Sequence, residues 1–159
     1  MRTHLRRWSL VMITLALAGC DSGRAPTTPS ASSSFLAGTW RGTVTVQVVS
    51  DAPGTPPPSS ASTTWTFEVT PQTNQQTFRA TIHSDHPWLP MDTIATTAIS
   101  PGNMPPAQIS TQGDYSSPRG CRGTFGSFGT ADTTRIDADF KGADCNLVTF
   151  SGSVVLTKQ

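Results

Sequence analysis

The sequence is poor in charged residues and has no basic cluster. Charged residues make up 13% of the chain, and its 11 basic residues are nearly balanced by 10 acidic ones. Nucleic-acid binding normally requires lysine and arginine gathered on one surface. The composition therefore excludes nucleic acid as an expected partner.

Motifs of catalysis are also missing. There is no Gly-x-Ser-x-Gly elbow, no phosphate-cradling glycine loop, and no cysteine beside a plausible base. Asp137 and Asp139 alternate with Arg135 and Lys141, as on the solvated face of a strand. The glycines of residues 120–129 precede no helix, so strand bending or close packing explains them better. We therefore predict a protein that is not an enzyme and needs no cofactor.

No apolar run reaches the roughly 20 residues that a transmembrane helix requires. The apolar run at residues 10–18, interrupted only by Thr14, follows Arg2, Arg6 and Arg7. A basic start, a short apolar run and small residues at its end are the layout of a secretory signal peptide. Residues 1–19 are therefore predicted to be removed.

The end of that run, Leu17-Ala18-Gly19-Cys20, resembles the lipobox of bacterial lipoproteins. The resemblance implies cleavage before Cys20, acyl chains such as palmitate on that cysteine, and a membrane-anchored domain, expected in the periplasm. Asp21 resembles the signal that retains lipoproteins in the inner membrane of enteric bacteria. The alternative is an ordinary secretory signal that carries a cysteine.

The remaining chain divides into a tether and one domain. Residues 20–34 contain Ser, Thr, Pro and Gly with few apolar side chains, which predicts a flexible tether. Residues 35–159 have the length of a single domain. In an exported protein, the two remaining cysteines, Cys121 and Cys145, are predicted to form a disulfide. A reactive or metal-binding pair would call for nearby histidines or a Cys-x-x-Cys spacing.

Alternation of apolar and polar residues with a period of two predicts strands throughout this domain. It is clearest where Trp40, Val44, Val46 and Val48 alternate with polar residues. Strands are predicted at residues 38–49, 65–69, 78–83, 93–99, 107–112, 120–129, 135–141 and 150–156. No helical apolar stripe follows Cys20, so helices should be minor or absent. We predict an all-β, antiparallel up-and-down barrel of about eight strands, with a two-sheet β-sandwich as the alternative.

The tripeptide Gly38-Thr39-Trp40 resembles the Gly-x-Trp signature of lipocalins, whose tryptophan plugs one end of an eight-stranded barrel. Since no other lipocalin motif and no flanking helix is recognisable, the resemblance implies a calycin-like shape rather than membership. The chain is also similar to bacterial periplasmic inhibitors of metalloproteases, which are small disulfide-bearing barrels.

Two functions remain open. In the first, Trp40, Trp65, Phe67 and Phe78 line or plug a barrel that takes a small apolar ligand. In the second, the interior is solid and the outer surface docks an envelope protein, as an assembly factor or a protease inhibitor does. Trp88 lies outside the alternating pattern, and it either caps the barrel mouth or awaits a partner.

The segment that contains His83, Asp85 and His86 carries the side-chain types that bind zinc or copper. A fourth ligand is not evident, and polar residues beside Pro87 are ordinary in turns. We predict no metal site and retain these three residues as the candidates for one.

Overall fold

The computed structural model describes residues 35–49, 57–69, 77–90, 92–100, 104–145 and 148–159. The predicted signal peptide at residues 1–19 and the predicted tether at residues 20–34, with the lipidation site Cys20 and Asp21, lie outside the described residues. Within the described ranges, no α-helix has the length and hydropathy needed to span a membrane.

The domain is an all-β barrel in which each strand pairs antiparallel with the next. The final strand pairs with the first along their whole lengths, from Trp40↔Lys158 to Val49↔Thr149. This closure confirms the predicted up-and-down barrel, and the two-sheet alternative is wrong. The strands are β1 Gly38–Val49, β2 Ser59–Val69, β3 Thr77–Ser84, β4 Asp92–Ile99, β5 Ala107–Ser116, β6 Arg122–Ala131, β7 Arg135–Asp144 and β8 Val148–Lys158.

Side chains alternate between the barrel interior and solvent because successive residues of a strand point to opposite faces. In β4 the alternation is strict: Thr93, Ala95, Thr97 and Ile99 are buried and the residues between them are exposed. The period-two pattern of the sequence therefore builds the core directly. Its largest fully buried members include Trp40, Trp65, Phe67, Phe78, Phe150, Leu36, Ile82, Ile109, Ile136 and Leu156.

Most strands are longer than their sequence pattern predicts, and β2 and β5 show the reason. β2 begins at Ser59, where pairing with Val46 of β1 starts, although residues 59–64 lack apolar alternation. β5 continues to Ser116, in a stretch whose polar composition predicted a turn, because it pairs with β6 as far as Ser116↔Arg122. In both places, backbone pairing with a neighbouring strand extends the strand where the side chains carry no signal.

Close packing explains two of the three glycines that recur at every third position of β6. A Cβ at Gly123 would lie 2.3 Å from the Tyr115 ring, and one at Gly129 would lie 2.1 Å from the Asp137 carbonyl oxygen. A Cβ at Gly126 would meet nothing closer than 3.9 Å. Close packing therefore accounts for Gly123 and Gly129, whereas a Cβ at Gly126 would make only an ordinary van der Waals contact.

The two ends of the barrel differ in how they are closed. At the end where β1 begins, here called the amino-terminal end, the Trp40 indole donates a hydrogen bond to the Leu36 carbonyl over 2.8 Å. The Lys158 ammonium lies 5.4 Å from the centre of the Trp40 ring. The opposite end, here called the disulfide end, carries the bond between Cys121 and Cys145. Trp40 thus occupies the plug position that its tripeptide predicted.

Candidate functional site

The disulfide end gathers most of the chemically distinctive side chains of the described chain. In an up-and-down barrel, the connections after β1, β3, β5 and β7 all lie at one end. The described parts of these connections include residues 85–90, residues 117–121 and Cys145. Residues that are far apart in sequence therefore meet here.

Four side chains in successive contact, here called the end cluster, join the β3–β4 and β5–β6 connections to the ends of β5 and β7. The Trp88 ring lies 4.7 Å from the Arg119 guanidinium carbon, and Arg119 forms an ion pair with Asp144 at 3.6 Å. The Tyr115 hydroxyl donates a hydrogen bond to the other Asp144 oxygen over 3.2 Å. The Asp144 side chain is only 5% exposed, so these two contacts compensate for the burial of its charge.

The electrostatics of the end cluster suit a structural role better than a role in proton transfer. Burial, reinforced by the charge and hydrogen bond of Asp144, raises the pKa of the Tyr115 hydroxyl far above its ordinary value, and Arg119 acts in the opposite direction. A phenol that keeps its proton is a steady hydrogen-bond donor and a poor general base. The cluster therefore serves to fasten the barrel end.

His86 fastens the β3–β4 connection in a different way. Its ring is buried, and its Nε2 lies 2.9 Å from the Ser59 hydroxyl. Its Nδ1 accepts a hydrogen bond from the backbone N–H of Trp88 over 3.2 Å. An Nδ1 that accepts is unprotonated, so the neutral ring carries its proton on Nε2. Burial lowers the pKa of His86, against an opposing hydrogen bond with Ser59.

The three metal-candidate residues do not converge on one point. The exposed His83 ring lies 3.8 Å from Asp85 through Nε2 and 3.1 Å from Asp92 through Nδ1, while Asp85 also accepts a hydrogen bond from Ser62. Both nitrogens of the buried His86 are engaged with Ser59 and Trp88. His83 and Asp85 thus form a surface ion pair, and His86 is part of a loop anchor.

The disulfide lies beside the end cluster. Cys121 is bonded to Cys145 with their Cα atoms 5.4 Å apart, so the predicted pairing is present. The two sulfurs and an Asp144 oxygen lie within 4.8 Å of one another. Since sulfurs bonded to each other are not thiolates, this trio is not a metal site in the oxidised protein.

The aromatic residues predicted to line or plug the barrel form its filling. The exposures of Trp40, Trp65, Phe67 and Phe78 lie between 0% and 2%. The Trp65 and Phe67 rings lie 6.0 Å apart, and the Trp65 indole N–H donates to the Thr63 hydroxyl. A second aromatic group joins Phe150 to Phe140, which the sequence also predicted to line or fill the barrel, at 6.1 Å and to Tyr115 at 6.4 Å.

Trp88 stays apart from that interior. Its side chain is half-buried and packs against the edge of the core while its other contact is Arg119. This is the capping role that the sequence offered as one of two alternatives. The contact also leaves part of the indole accessible at the barrel end.

Four pockets formed by the described residues lie on the outer wall or at the disulfide end. None of these four is lined by Trp40, Trp65, Phe67 or Phe78. The most enclosed of them has a volume of about 260 Å³ and lies between the β3–β4 connection and the end of β5. Space for a partner is therefore found on the outside of the barrel.

Sequence reasoning missed Asp144, Arg119 and Tyr115 as a group. The carboxylate lies next to Cys145 in the chain, and Arg119 lies two residues before Cys121. The predicted disulfide was therefore the feature that could have revealed this group, because a bond between Cys121 and Cys145 brings Arg119 and Asp144 close together. Tyr115 is the only tyrosine of the sequence, but nothing local pairs it with residue 144.

Comparison with protein-family models and with characterised proteins finds no match to this chain.

Proposed function

We propose that this protein is a lipid-anchored, non-catalytic module of the bacterial cell envelope that docks another envelope protein on the outside of a filled barrel. The observation that carries the proposal is the burial of Trp40, Trp65, Phe67 and Phe78, none more than 2% exposed. An eight-stranded barrel is narrow enough for side chains to fill it. Its outer surface then remains for function.

Closure of both barrel ends supports the same proposal. Trp40, with Lys158 above its ring, covers the amino-terminal end, and the end cluster with the disulfide covers the other. A carrier of a small apolar ligand, the competing function, needs an open mouth and interior space.

The cysteine distribution supports the lipid anchor. The sequence has three cysteines, and Cys121 and Cys145 are bonded to each other. Cys20, at the end of the lipobox-like tetrapeptide, is the third. A disulfide is expected in an exported protein and is rare in the cytosol, which agrees with export through a signal peptide.

The anchor also limits how far the barrel stands from the membrane. The chain leaves the barrel at Phe35, whose carbonyl accepts a hydrogen bond from Lys158 at the amino-terminal end. From Cys20 to Phe35 the chain spans at most about 50 Å when fully extended. A tether of this reach leaves the wall and the disulfide end of the barrel accessible to a partner.

Photo-crosslinking in living cells tests the docking function. A photoreactive residue replaces Val49, Ile94 or Phe128, three large apolar side chains exposed on the wall, and Ile82 of the core serves as the control. We expect a discrete protein adduct from at least one exposed position and none from residue 82. A lack of adducts at every exposed position would contradict docking, and a releasable small mass beyond the acyl chains in native mass spectrometry would establish a carrier.

A further inference from the structure

The wall of the barrel parts between β4 and β5 near the disulfide end. Pairing between these strands stops at Ala95↔Gly113. Beyond that point, residues 92–94 pair with β3 alone and residues 114–116 pair with β6 alone. The two strands therefore present short edges to each other across an opening, here called the seam.

A side chain bridges the start of the seam. The Thr93 hydroxyl donates a hydrogen bond to the Asp114 carbonyl, in a position where a closed ladder would place a backbone N–H. A hydroxyl reaches further from its strand than a backbone amide does. The strands are therefore held apart here by more than the spacing of a paired ladder.

Unpaired strand edges are templates for an added strand. A barrel removes its edges by closing. At the seam, three described residues on each side have no described partner across the β4–β5 boundary, whereas at the β6–β7 boundary pairing stops only one residue before the end of β7. An extended peptide is the ligand that such edges bind through main-chain hydrogen bonds.

The space and surface chemistry of the seam suit such a peptide. A pocket of about 690 Å³ lies over it, bordered by Asp92, Ile94, Gly113, Asp114 and Arg122. Ile94 is 55% exposed and offers an apolar contact in the middle of the opening. The pocket of about 260 Å³ adjoins it at Asp92 and has Leu89 and Tyr115 in its lining.

Charge around the seam is mainly acidic. Asp114 is paired with Arg122, whereas the Asp92 side chain is 85% exposed and lies beside the His83 imidazole. That imidazole also faces Asp85. Two carboxylates therefore share one histidine, which leaves negative charge for a lysine or arginine of the bound segment.

We propose that the seam binds an extended segment of an envelope protein by strand addition, with an apolar side chain against Ile94 and a basic side chain towards Asp92. This inference rests on the proposed docking function and names its site and the chemistry of its partner. Specificity for alternate side chains follows from the alternation of any added strand.

A display library of random ten-residue peptides, presented to the full chain purified in detergent from host membranes, tests the inference. We expect the enriched peptides to combine an apolar and a basic residue at alternating positions. Methylation of every second backbone amide should weaken binding at least tenfold in one register and little in the other, because only one set of amides faces the seam. Equal effects of both registers would overturn strand addition.

Matched variants locate the site. Ile94→Asp should weaken binding of the enriched peptides at least tenfold, whereas Val49→Asp, on β1 with 53% exposure, should leave it unchanged. Equal binding to both variants would place the peptide elsewhere and overturn the inference. A concentration-dependent dimer abolished by Ile94→Asp would also overturn it, by assigning the seam to a second copy of the chain.

The crosslinking experiment distinguishes this inference from the docking function itself. A partner adduct from residue 128 or residue 49 but none from residue 94 would leave the docking function standing and reject the seam as its site. An adduct from residue 94 that the enriched peptides displace would support both.

Discussion

The Trp88 indole ring lies 4.7 Å from the guanidinium carbon of Arg119, so the β3–β4 connection is fastened to the β5–β6 turn by a cation–π contact. Arg119 is also the only described partner of the Asp144 carboxylate that carries a positive charge. One arginine therefore joins the half-buried tryptophan to a buried charge.

The coupling between Trp88 and Arg119 should be measurable in a double-mutant cycle. Because the arginine is partly exposed, we expect a coupling of about 0.5–1 kcal/mol between Trp88→Ala and Arg119→Ala in urea denaturation. Arg119→Ala also removes the ion pair with Asp144, so Arg119→Lys, which retains the positive charge, serves as the control. Strict additivity of the two alanine variants would show that the ring contact contributes nothing.

Removal of the buried carboxylate should cost more than removal of its hydroxyl partner. Asp144→Ala leaves the buried Tyr115 hydroxyl without its acceptor, so we expect a loss of about 2–3 kcal/mol in the free energy of unfolding. Tyr115→Phe should cost about 1 kcal/mol less than that, and Asp144→Asn should retain part of the stability. An alanine variant as stable as the parent would contradict the role of this hydrogen bond.

Stability should fall on mild acidification because of His86. Its pKa in the folded protein is lowered from the ordinary 6.5, so the unfolded chain binds its proton first as the pH falls. The contribution is complete above 6.5 and is lost as the pH drops below that value. His86→Gln should flatten this part of the stability profile.

A second acid transition should be separate from the first. The pKa of Asp132 is lowered by hydrogen bonds from Thr134 and Arg135, and that of Asp137 by hydrogen bonds from Arg135. Their stabilising contribution is therefore present above 3.8 and lost below it, a lower range than that of His86. Should His86→Gln change only the stability below 3.8, the assignment of the two ranges would be wrong.

The disulfide should contribute strongly to thermal stability. Cys121 and Cys145 are separated by 24 positions, and closing a loop of this length stabilises a protein by about 3 kcal/mol in the chain-entropy model. Reduction, or Cys121→Ser with Cys145→Ser, should lower the Tm by roughly 10 °C or more. An unchanged melting curve after complete reduction would contradict this contribution.

The lipid anchor predicts a specific change on substitution of Cys20. Labelled palmitate fed to the host should appear in the parent chain and not in Cys20→Ala. The variant should be released in soluble form or remain uncleaved, with the melting temperature of its barrel unchanged, because Cys20 precedes the predicted domain of residues 35–159. Labelling of the variant would place the acyl chains elsewhere.

The alternation of apolar residues was sufficient to predict the barrel because it survives in every strand that has large inward side chains. It failed where inward residues are small, as at Thr63 of β2, since threonine has no clear preference for either face. The disulfide followed from the number of cysteines and the expected export. The role of His86 was not predictable, because it depends on Ser59 and Trp88 meeting across a barrel end.

The seam was equally invisible in the sequence. Thr93 continues the strand pattern of β4, whereas Asp114 begins the stretch whose composition predicted a turn, so the sequence did not show that β5 continues there beside β6 alone. Strand divergence is set by the geometry of the whole wall. Only the register of all eight strands reveals it.

Pairing of β1 with β8 has a consequence for the order in which the protein matures. Under the proposed export, the amino terminus is delivered first, so β1 emerges before its partner β8, which lies more than one hundred residues later in the chain. Until β8 has emerged, the growing sheet keeps two free edges and is vulnerable to wrong pairing and proteolysis. The barrel therefore closes only when β8 has been delivered, and a chain truncated within that strand should be degraded rather than accumulate.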